Sequence, residues 1–406
     1  MTAIRPILSS LTRHKGAVAV IVMEIALTCA ILCNAFDLIS RRVRDIQTVS
    51  GIDEAHIARI LTSPLGPESE RWARTNADLD VIRSVPGVAD VTILNQLPLT
   101  SNSSNSSFST TPQGATIIAG ITMADPGVFS TLGLKIVQGR AFANDEYIKV
   151  SEATDDTRFT KAVITKAMAD KLFPGQNAVG KALYMGEDTP IQIIGVVERL
   201  VRPGKGWAAS EAKEYTVIAP FRTPIDFFGQ YVIRTKEGFK PATVLSAVDA
   251  ALTRANPNRI SSGSETFAQM REDYFASDRS MAWLLSIVSV ILLCVTAFGI
   301  VGIASFWVQQ RTKQIGIRRA LGATRTDIVR YFQTENFLIV SGGIVLGLIL
   351  AFGLNQLLMA KYEMPRLPWI YLPMGAVALW IIGQLAVLAP ALRAANVAPT
   401  TATRTV

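Results

Sequence analysis

With only two histidines, His14 and His56, and three cysteines in 406 residues, the chain has too few of these side chains for a His/Cys metal centre. No nucleophile-elbow pattern appears, and the acidic residues are scattered as on a solvated surface rather than clustered. A catalytic site, a metal site and a cofactor bound by this chain are therefore not expected. The cysteines, Cys29, Cys33 and Cys294, all lie in apolar runs, so the long segment between those runs folds without disulfides. Cys29 and Cys33 sit one helical turn apart and read as small, membrane-compatible residues. Charge is also scarce, 18% of residues against 49% hydrophobic, and the mean hydropathy is +0.31. Such a chain is too apolar for an ordinary soluble protein and too charged for an all-helical membrane bundle.

Four apolar runs approach the ~20 residues that a bilayer requires: Ala17 to Ile39, Met281 to Val308, Phe337 to Met359 and Tyr371 to Ala391. The second would make a helix of ~42 Å, long enough to continue beyond the hydrocarbon as a stalk. The first exceeds a signal-peptide core, contains Glu24 and lacks a clean cleavage site, so it reads as an anchor. Basic residues set the orientation. Arg5, Arg13 and Lys15 precede the first run, Arg393 and Arg404 follow the fourth, and the densest cluster joins the second to the third. Both termini are expected in the cytoplasm, against one opposing signal, Arg41, Arg42 and Arg44 just after the first run. The expected fold is a membrane protein with four transmembrane helices and a large α+β extracytoplasmic domain between the first and second. Its parts are a cytoplasmic terminus at 1–16, spans at 17–39, 279–308, 337–359 and 371–391, the extracytoplasmic domain at 40–278, a cytoplasmic loop at 309–336, an outer loop at 360–370 and a cytoplasmic tail at 392–406.

Within the large segment, a helix ending at Val85, the Pro86-Gly87 turn and an alternating strand from Val88 to Leu97 are expected. Further strands are expected at Lys161 to Ile164, Ile191 to Val197, Tyr215 to Ala219 and Tyr231 to Arg234, with a turn at Gly186-Glu187-Asp188. Helices are expected at Lys166 to Phe173 and Ala242 to Arg254. The regions Val81 to Leu97 and Leu245 to Ser261 both read helix, turn, strand, which hints at an internal duplication. Thr100 to Thr111, mostly Ser, Asn and Thr, reads as a solvated loop, and its sequons at Asn102 and Asn105 are what such a tract generates by accident.

Gly175 to Ala182 follows the G-x-x-x-x-G-K phosphate-binding pattern until Ala182 replaces the hydroxyl residue that would hold Mg²⁺. A helix rather than a strand leads into it, so nucleotide binding there is not expected.

The most informative segment is the basic connector Gln310 to Thr324. On a helix, Arg311, Gln314 and Arg318 share one face, while Ile317, Ala320 and Leu321 share another. Gly322 permits a chain reversal, and Thr324 with Asp327 can form a capping box opening the next helix. Such an element can dock on a partner or rest on anionic lipid. In the spans, Gly343 and Gly347 have the spacing that lets helices approach, within one subunit or between two. Glu24, with Thr28 one turn on, is the ionisable residue deepest in a span and a candidate for coupling the helices.

The connector resembles the R-T-[KR]-E-I-G-I-R-[RK]-A-[LV]-G-A signature of FtsX-like permeases of ABC transporters, the family that includes MacB and the lipoprotein-release permeases. Leu132-Gly133-Leu134, Gly139-Arg140-Ala141-Phe142, Ala169 to Gly175, Val179-Gly180-Lys181 and Ile194 to Val197 are similar, in order and spacing, to the MacB-type periplasmic core domain. Pro390 to Ala395 and Pro399 resemble the family's closing segment. The resemblance implies a non-catalytic permease subunit in the bacterial inner membrane, pairing with a second identical or related permease. ATP and Mg would be bound by a separate ABC ATPase, and motion would pass from the connector through the long helices to the outer domains. Arg311, Gln314, Ile315, Gly316, Arg318, Arg319, Leu321 and Gly322 would carry that coupling. Gln314 stands where many relatives have Glu. Export with a periplasmic adaptor and an outer-membrane channel is the first expectation; activation of a cell-wall hydrolase and lipoprotein release are the alternatives. Membrane lipid is an expected partner and nucleic acid is not.

Overall fold

The computed structural model describes residues 15–101, 103–150, 159–186, 189–204, 211–225, 229–362 and 368–397, and the chain divides into two units, residues 48–277 and the remainder. Arg5, Arg13, His14, Asn102, Glu187, Asp188, Pro399 and Arg404 lie outside the described residues. The chain opens with helix α1, Lys15–Ile46.

The large domain runs β1 (Ile57–Pro64), α2 (Arg71–Ser84), β2 (Val88–Leu94), β3 (Asn105–Phe108), β4 (Ile117–Ala124), α3 (Val128–Leu132), β5 (Ile136–Gly139), β6 (Ile148–Lys149), β7 (Lys161–Thr165), α4 (Lys166–Leu172), β8 (Ala182–Leu183), β9 (Ile191–Val197), β10 (Thr216–Arg222), β11 (Gln230–Thr235), α5 (Pro241–Ala255), β12 (Arg259–Thr266) and α6 (Phe267–Tyr274). Nine of its strands follow one another in the sheet in the order β12-β1-β11-β2-β4-β10-β7-β9-β5, and β3, β6 and β8 pair off this path with β4, β10 and β9. The first four are mutually antiparallel, and two β-α-β units, β1-α2-β2 and β11-α5-β12, interleave in it as a split β-α-β half. The two helix-turn-strand regions of the sequence are the α-β portions of these units. Residues 95–229 are inserted between them and build the second half, where β10 pairs parallel with β4 and β7 parallel with β9.

Each half has its own core. Ala58, Ile60, Val91, Ile93, Tyr231 and Ile233 point to the face covered by Ile82 of α2 and Val244, Val248 and Leu252 of α5. The Tyr231 hydroxyl donates to Asp78 at 3.0 Å, and Asp78 also accepts from Arg259 at 2.8 Å, so the buried polar groups satisfy one another. In the second half, Phe108, Ile164, Met168, Ile193 and Val217 close the other core.

Two expectations need correction. The strand expected from Val88 to Leu97 ends at Leu94, because side chains take over the role of the ladder. Asn95 Nδ2 and Gln96 Nε2 both donate to the Ile121 carbonyl at 3.1 and 3.0 Å, and Asn95 Oδ1 accepts from the Met123 N–H at 2.9 Å. The expected loop from Thr100 to Thr111 contains β3, antiparallel to β4. Phe108, fully buried in the core, anchors this polar tract, and burial of one aromatic outweighs the low strand preference of Asn and Ser.

The glycines of two family-like motifs have a steric cause. A Cβ at Gly139, whose φ is +70°, would lie 2.2 Å from the Ile194 carbonyl oxygen, and one at Gly195 would lie 2.3 Å from that of Arg140. The refused phosphate motif has a helix before it and a strand after it, the reverse of a phosphate-binding loop; Lys181 bonds Gln176 and stands 4.7 Å from the Phe173 ring centre.

Asp125 follows β4 where the two halves meet. Its carboxylate accepts the Thr223 N–H at 3.1 Å, and its own N–H donates to the Ile93 carbonyl at 3.2 Å. Burial pushes its pKa up to about 7, against the pull of the Thr223 N–H, Arg222 and Arg83. The folded state thus holds the proton more tightly than the unfolded chain, whose Asp titrates near ~3.9. This contribution is fully present below about pH 4 and is lost as pH rises through about 7. Hydrogen exchange at the Thr223 amide is expected to quicken from pH 5 to 8, after correction for intrinsic chemistry, by roughly 1 kcal/mol of opening free energy per pH unit below about 7. Asp125→Asn should flatten that dependence.

The remaining helices are α7 (Ala276–Gln310), α8 (Thr312–Ala320), α9 (Arg325–Tyr362) and α10 (Tyr371–Ala395). Among the described residues, α1, α7, α9 and α10 are long and apolar enough to cross a membrane. The helices overrun the apolar runs because their polar ends continue the same backbone hydrogen bonding. Helix α1 is central: Ile25, Cys29, Leu32 and Cys33 are buried, in a core with Ile344 of α9 and Leu379 of α10. Helix α7 buries only a stripe containing Ser289, Thr296, Ile300, Ala304 and Trp307. The opposing basic cluster after the first run is largely occupied: Arg41 pairs with Asp37 at 2.8 Å and Arg42 with Asp278.

Candidate coupling site

Helix α8 is short and polar, and it is held by its ends and one buried edge. Ile315 and Gly316 are buried, and Ile315 packs with Val308, Ile328, Phe332, Ala391 and Ala394. The helix stops in a Schellman motif: the Ala323 N–H donates to the Arg318 carbonyl at 3.0 Å and the Gly322 N–H to that of Arg319 at 3.2 Å. Gly322 has φ +99°, a left-handed conformation that L side chains resist. Helix α9 then starts on a reciprocal capping box. Thr324 Oγ1 accepts the Asp327 N–H at 3.2 Å, and Asp327 Oδ2 accepts the Thr324 N–H at 3.0 Å.

The basic residues divide by role. Arg311 places Nη1 2.9 Å from both carboxylate oxygens of Glu335, a residue of α9 only 1% exposed, and its guanidinium lies 5.6 Å from the Trp307 ring centre. Arg319 Nη1 donates to the Ala395 and Val397 carbonyls at 2.8 and 3.0 Å, satisfying groups at the C-terminal end of α10. Arg311 and Arg319, both expected among the coupling residues, are engaged within the subunit, because each has a buried or helix-terminal acceptor within reach. Lys313, Gln314 and Arg318 are exposed, and Arg318 stands 4.8 Å from the Tyr331 ring centre. The apolar face also points outward: Ile317 is 49% exposed and Leu321 83%. The segment thus presents an apolar tip flanked by a cation and an amide, on a base fixed by buried polar contacts.

Gly343 and Gly347 face α1. A Cβ at Gly343 would lie 2.6 Å from Ile25 Cγ2, and one at Gly347 would lie 2.5 Å from Cys29 Cβ. Asn336 Nδ2 donates to the Gly383 carbonyl at 2.8 Å and Trp380 Nε1 to Ser341 Oγ at 3.0 Å, joining α9 to α10. Glu24 rests on Gly299 of α7, where an added Cβ would meet its Oε2 at 2.8 Å. One turn on, Thr28 and Thr296 share a buried hydrogen bond of 3.0 Å. Glu335, Thr296 and Gly299 were not singled out from the sequence. Glu335 had a usable signal, an acid close before an apolar run and opposite a basic connector; the other two had none.

Comparison with known proteins agrees with this architecture. Residues 29–251 match the MacB-like periplasmic core domain, and residues 286–399 match the FtsX-like permease C-terminal domain. The chain is 28% identical over 280 residues to the "Macrolide export ATP-binding/permease protein MacB" of Chromobacterium violaceum, covering 67% of this chain and 41% of that protein. It is 25% identical over 291 residues to the "Uncharacterized ABC transporter permease YvrN" of Bacillus subtilis, covering 69% and 68%. The chain thus spans about two-fifths of the length of the MacB relative. The crystal structure of the periplasmic region of MacB from Actinobacillus actinomycetemcomitans is similar with a TM-score of 0.35 and 14% identity, over 57% of this chain and 97% of that one. With a MacB-like core domain over more than half its length, four apolar helices and a permease domain closing it, the chain belongs to the MacB-like, FtsX-like family of ABC transporter permeases.

Proposed function

We propose that this permease couples ATP hydrolysis by a separate ABC ATPase to a change of shape in its large domain. The exposed tip of α8 is the observation that carries this reading: Ile317 and Leu321 face outward although Arg311, Ile315, Gly316 and Arg319 anchor the connector, and flanking Arg318 suits an acidic or carbonyl rim. In this reading the connector and both termini lie in the cytoplasm, the large domain lies in the periplasm, and the inner membrane lies between. The partner binds ATP and Mg, and this chain contributes no catalytic residue. Gln314 hydrogen-bonds rather than ion-pairs with the ATPase. Motion of α8 reaches α7 and α9 through Arg311 and Glu335, and α7 carries it toward the large domain. A second permease, identical or related, completes the assembly. Export fits the relatives named for macrolide export, with an adaptor and an outer-membrane channel receiving the substrate.

Leu321→Asp combined with Arg318→Glu is expected to weaken co-purification with the co-expressed ATPase by roughly 30-fold or more, the ~2 kcal/mol of an interface hot spot. Insertion of the permease, read by its yield in membranes, should be unchanged. Full retention of the ATPase with an unaltered hydrolysis rate would overturn the assignment.

A further inference from the structure

The face of the split β-α-β half opposite α2 and α5 carries a second candidate site. Ala58 and Ile60 point into the core under α2 and α5, so their alternating neighbours Arg59 and Leu61 point the other way. There they floor a cleft of about 770 Å³, with Gln230 and Glu265 beside them. One wall is the segment after β2, through Leu99 and Thr100; the other is α6, through Asp273 and Tyr274.

Leu99 is, among the described residues, the only one other than glycine with positive φ, +61°, and is 5% exposed. A left-handed Leu costs about 1–2 kcal/mol, so the surrounding structure holds this wall in a shape the residue would not choose.

The polar groups of the cleft are unevenly matched. Arg59 directs Nε and Nη2 to one oxygen of Glu265, Oε1, at 3.2 and 2.6 Å, and Nη1 to Gln230 Oε1 at 3.4 Å. Among the described residues, Glu265 Oε2 and the Asp273 carboxylate accept no hydrogen bond. Arg59 is thus offset by Glu265, and Asp273 leaves the cleft with one net negative charge beside the Tyr274 ring and the apolar surface of Leu61 and Leu99. A largely apolar cleft of this size, with few convergent polar groups, has the usual form of a small-molecule site.

We infer that this cleft binds an organic amine with an apolar body, its ammonium directed to Asp273 and the free oxygen of Glu265 and its body lying on Leu61, Leu99 and Tyr274. Carboxylates supply charge-assisted hydrogen bonds to the ammonium, and the Tyr274 face favours a cation. The site lies wholly in the large domain, so equilibrium binding requires neither the ATPase nor transport, and its outcome is independent of the coupling proposal.

Monodansylcadaverine, a primary amine with an aromatic body, is the probe, with its N-acetylated form as the uncharged twin. Each is titrated by fluorescence into the full chain in lipid nanodiscs, after subtraction of empty discs. Saturable binding of one amine per chain is expected, with the acetylated twin about tenfold weaker or more. Asp273→Asn should weaken the amine by about the same factor and leave the twin unchanged. Ser101→Trp, which fills the rim of the cleft without altering charge, should remove binding of both probes. Equal affinity for amine and twin, wild-type affinity in Asp273→Asn, or full binding by Ser101→Trp would each overturn the proposal. Thermal unfolding of both variants separates lost binding from lost structure.

Discussion

Glu335→Leu is expected to destabilise the four-helix unit by ~3–5 kcal/mol, because it leaves the Arg311 guanidinium with its buried carboxylate removed. The Glu335 side chain is 2% exposed and that of Arg311 12%, so water cannot replace the lost partner. Arg311→Met alone should cost a similar amount for the complementary reason. The double replacement Arg311→Met with Glu335→Leu should recover most of the loss, since two apolar side chains in that space carry no desolvation penalty. Thermal unfolding in detergent, followed by size-exclusion fluorescence, reads the cycle. Additive losses in the double variant would show that the two side chains act separately. Under the proposed coupling, loss of the link between α8 and α9 in either single variant should uncouple hydrolysis by the partner ATPase from transport, read as the two rates side by side.

Gly347→Leu should give the largest effect within the spans. Even a Cβ at this position would lie 2.5 Å from Cys29 Cβ and 2.7 Å from the Ala26 carbonyl oxygen, so backbone as well as side chain of α1 would have to move. Overpacking of this kind costs about 1–3 kcal/mol or more. Gly353, which has nothing within 4 Å of an added Cβ, is the matched control. There Gly353→Ala is expected to be neutral or to stabilise by up to ~1 kcal/mol through helix propensity, opposite in sign to Gly347→Ala. The two readings of the Gly343–Gly347 spacing, packing within a subunit and packing between subunits, separate here. An effect of Gly347→Leu independent of protein concentration belongs to the α1–α9 contact, whereas a concentration-dependent one belongs to a dimer.

The difference between Arg318 and Arg319 shows how far a helical pattern can be read. Both are adjacent basic residues on a short amphipathic helix, and the sequence offers them equally as docking residues. Arg319 lies within reach of the Ala395 and Val397 carbonyls, which are 76 and 78 positions away in the chain. Among the described residues, Arg318 meets no such acceptor, and it stays exposed on Tyr331. By contrast, the Gly322 reversal and the Thr324–Asp327 box were legible because every group involved lies within a few residues.

The same distinction explains β3. Its Ser and Asn content gave a loop, and only the pairing with β4 and the burial of Phe108 made it a strand. The four apolar helices, the place of the large domain between the first two and the family motifs followed from the sequence by itself, since bilayer length, periodicity and local capping are properties of contiguous residues. Only the tertiary structure decided the interleaving of the two β-α-β units, the Arg311–Glu335 pair, the contact of Gly343 and Gly347 with α1 and the cleft around Asp273. Each of these joins residues tens to hundreds of positions apart, and a one-dimensional pattern carries no record of which distant partner will be within reach.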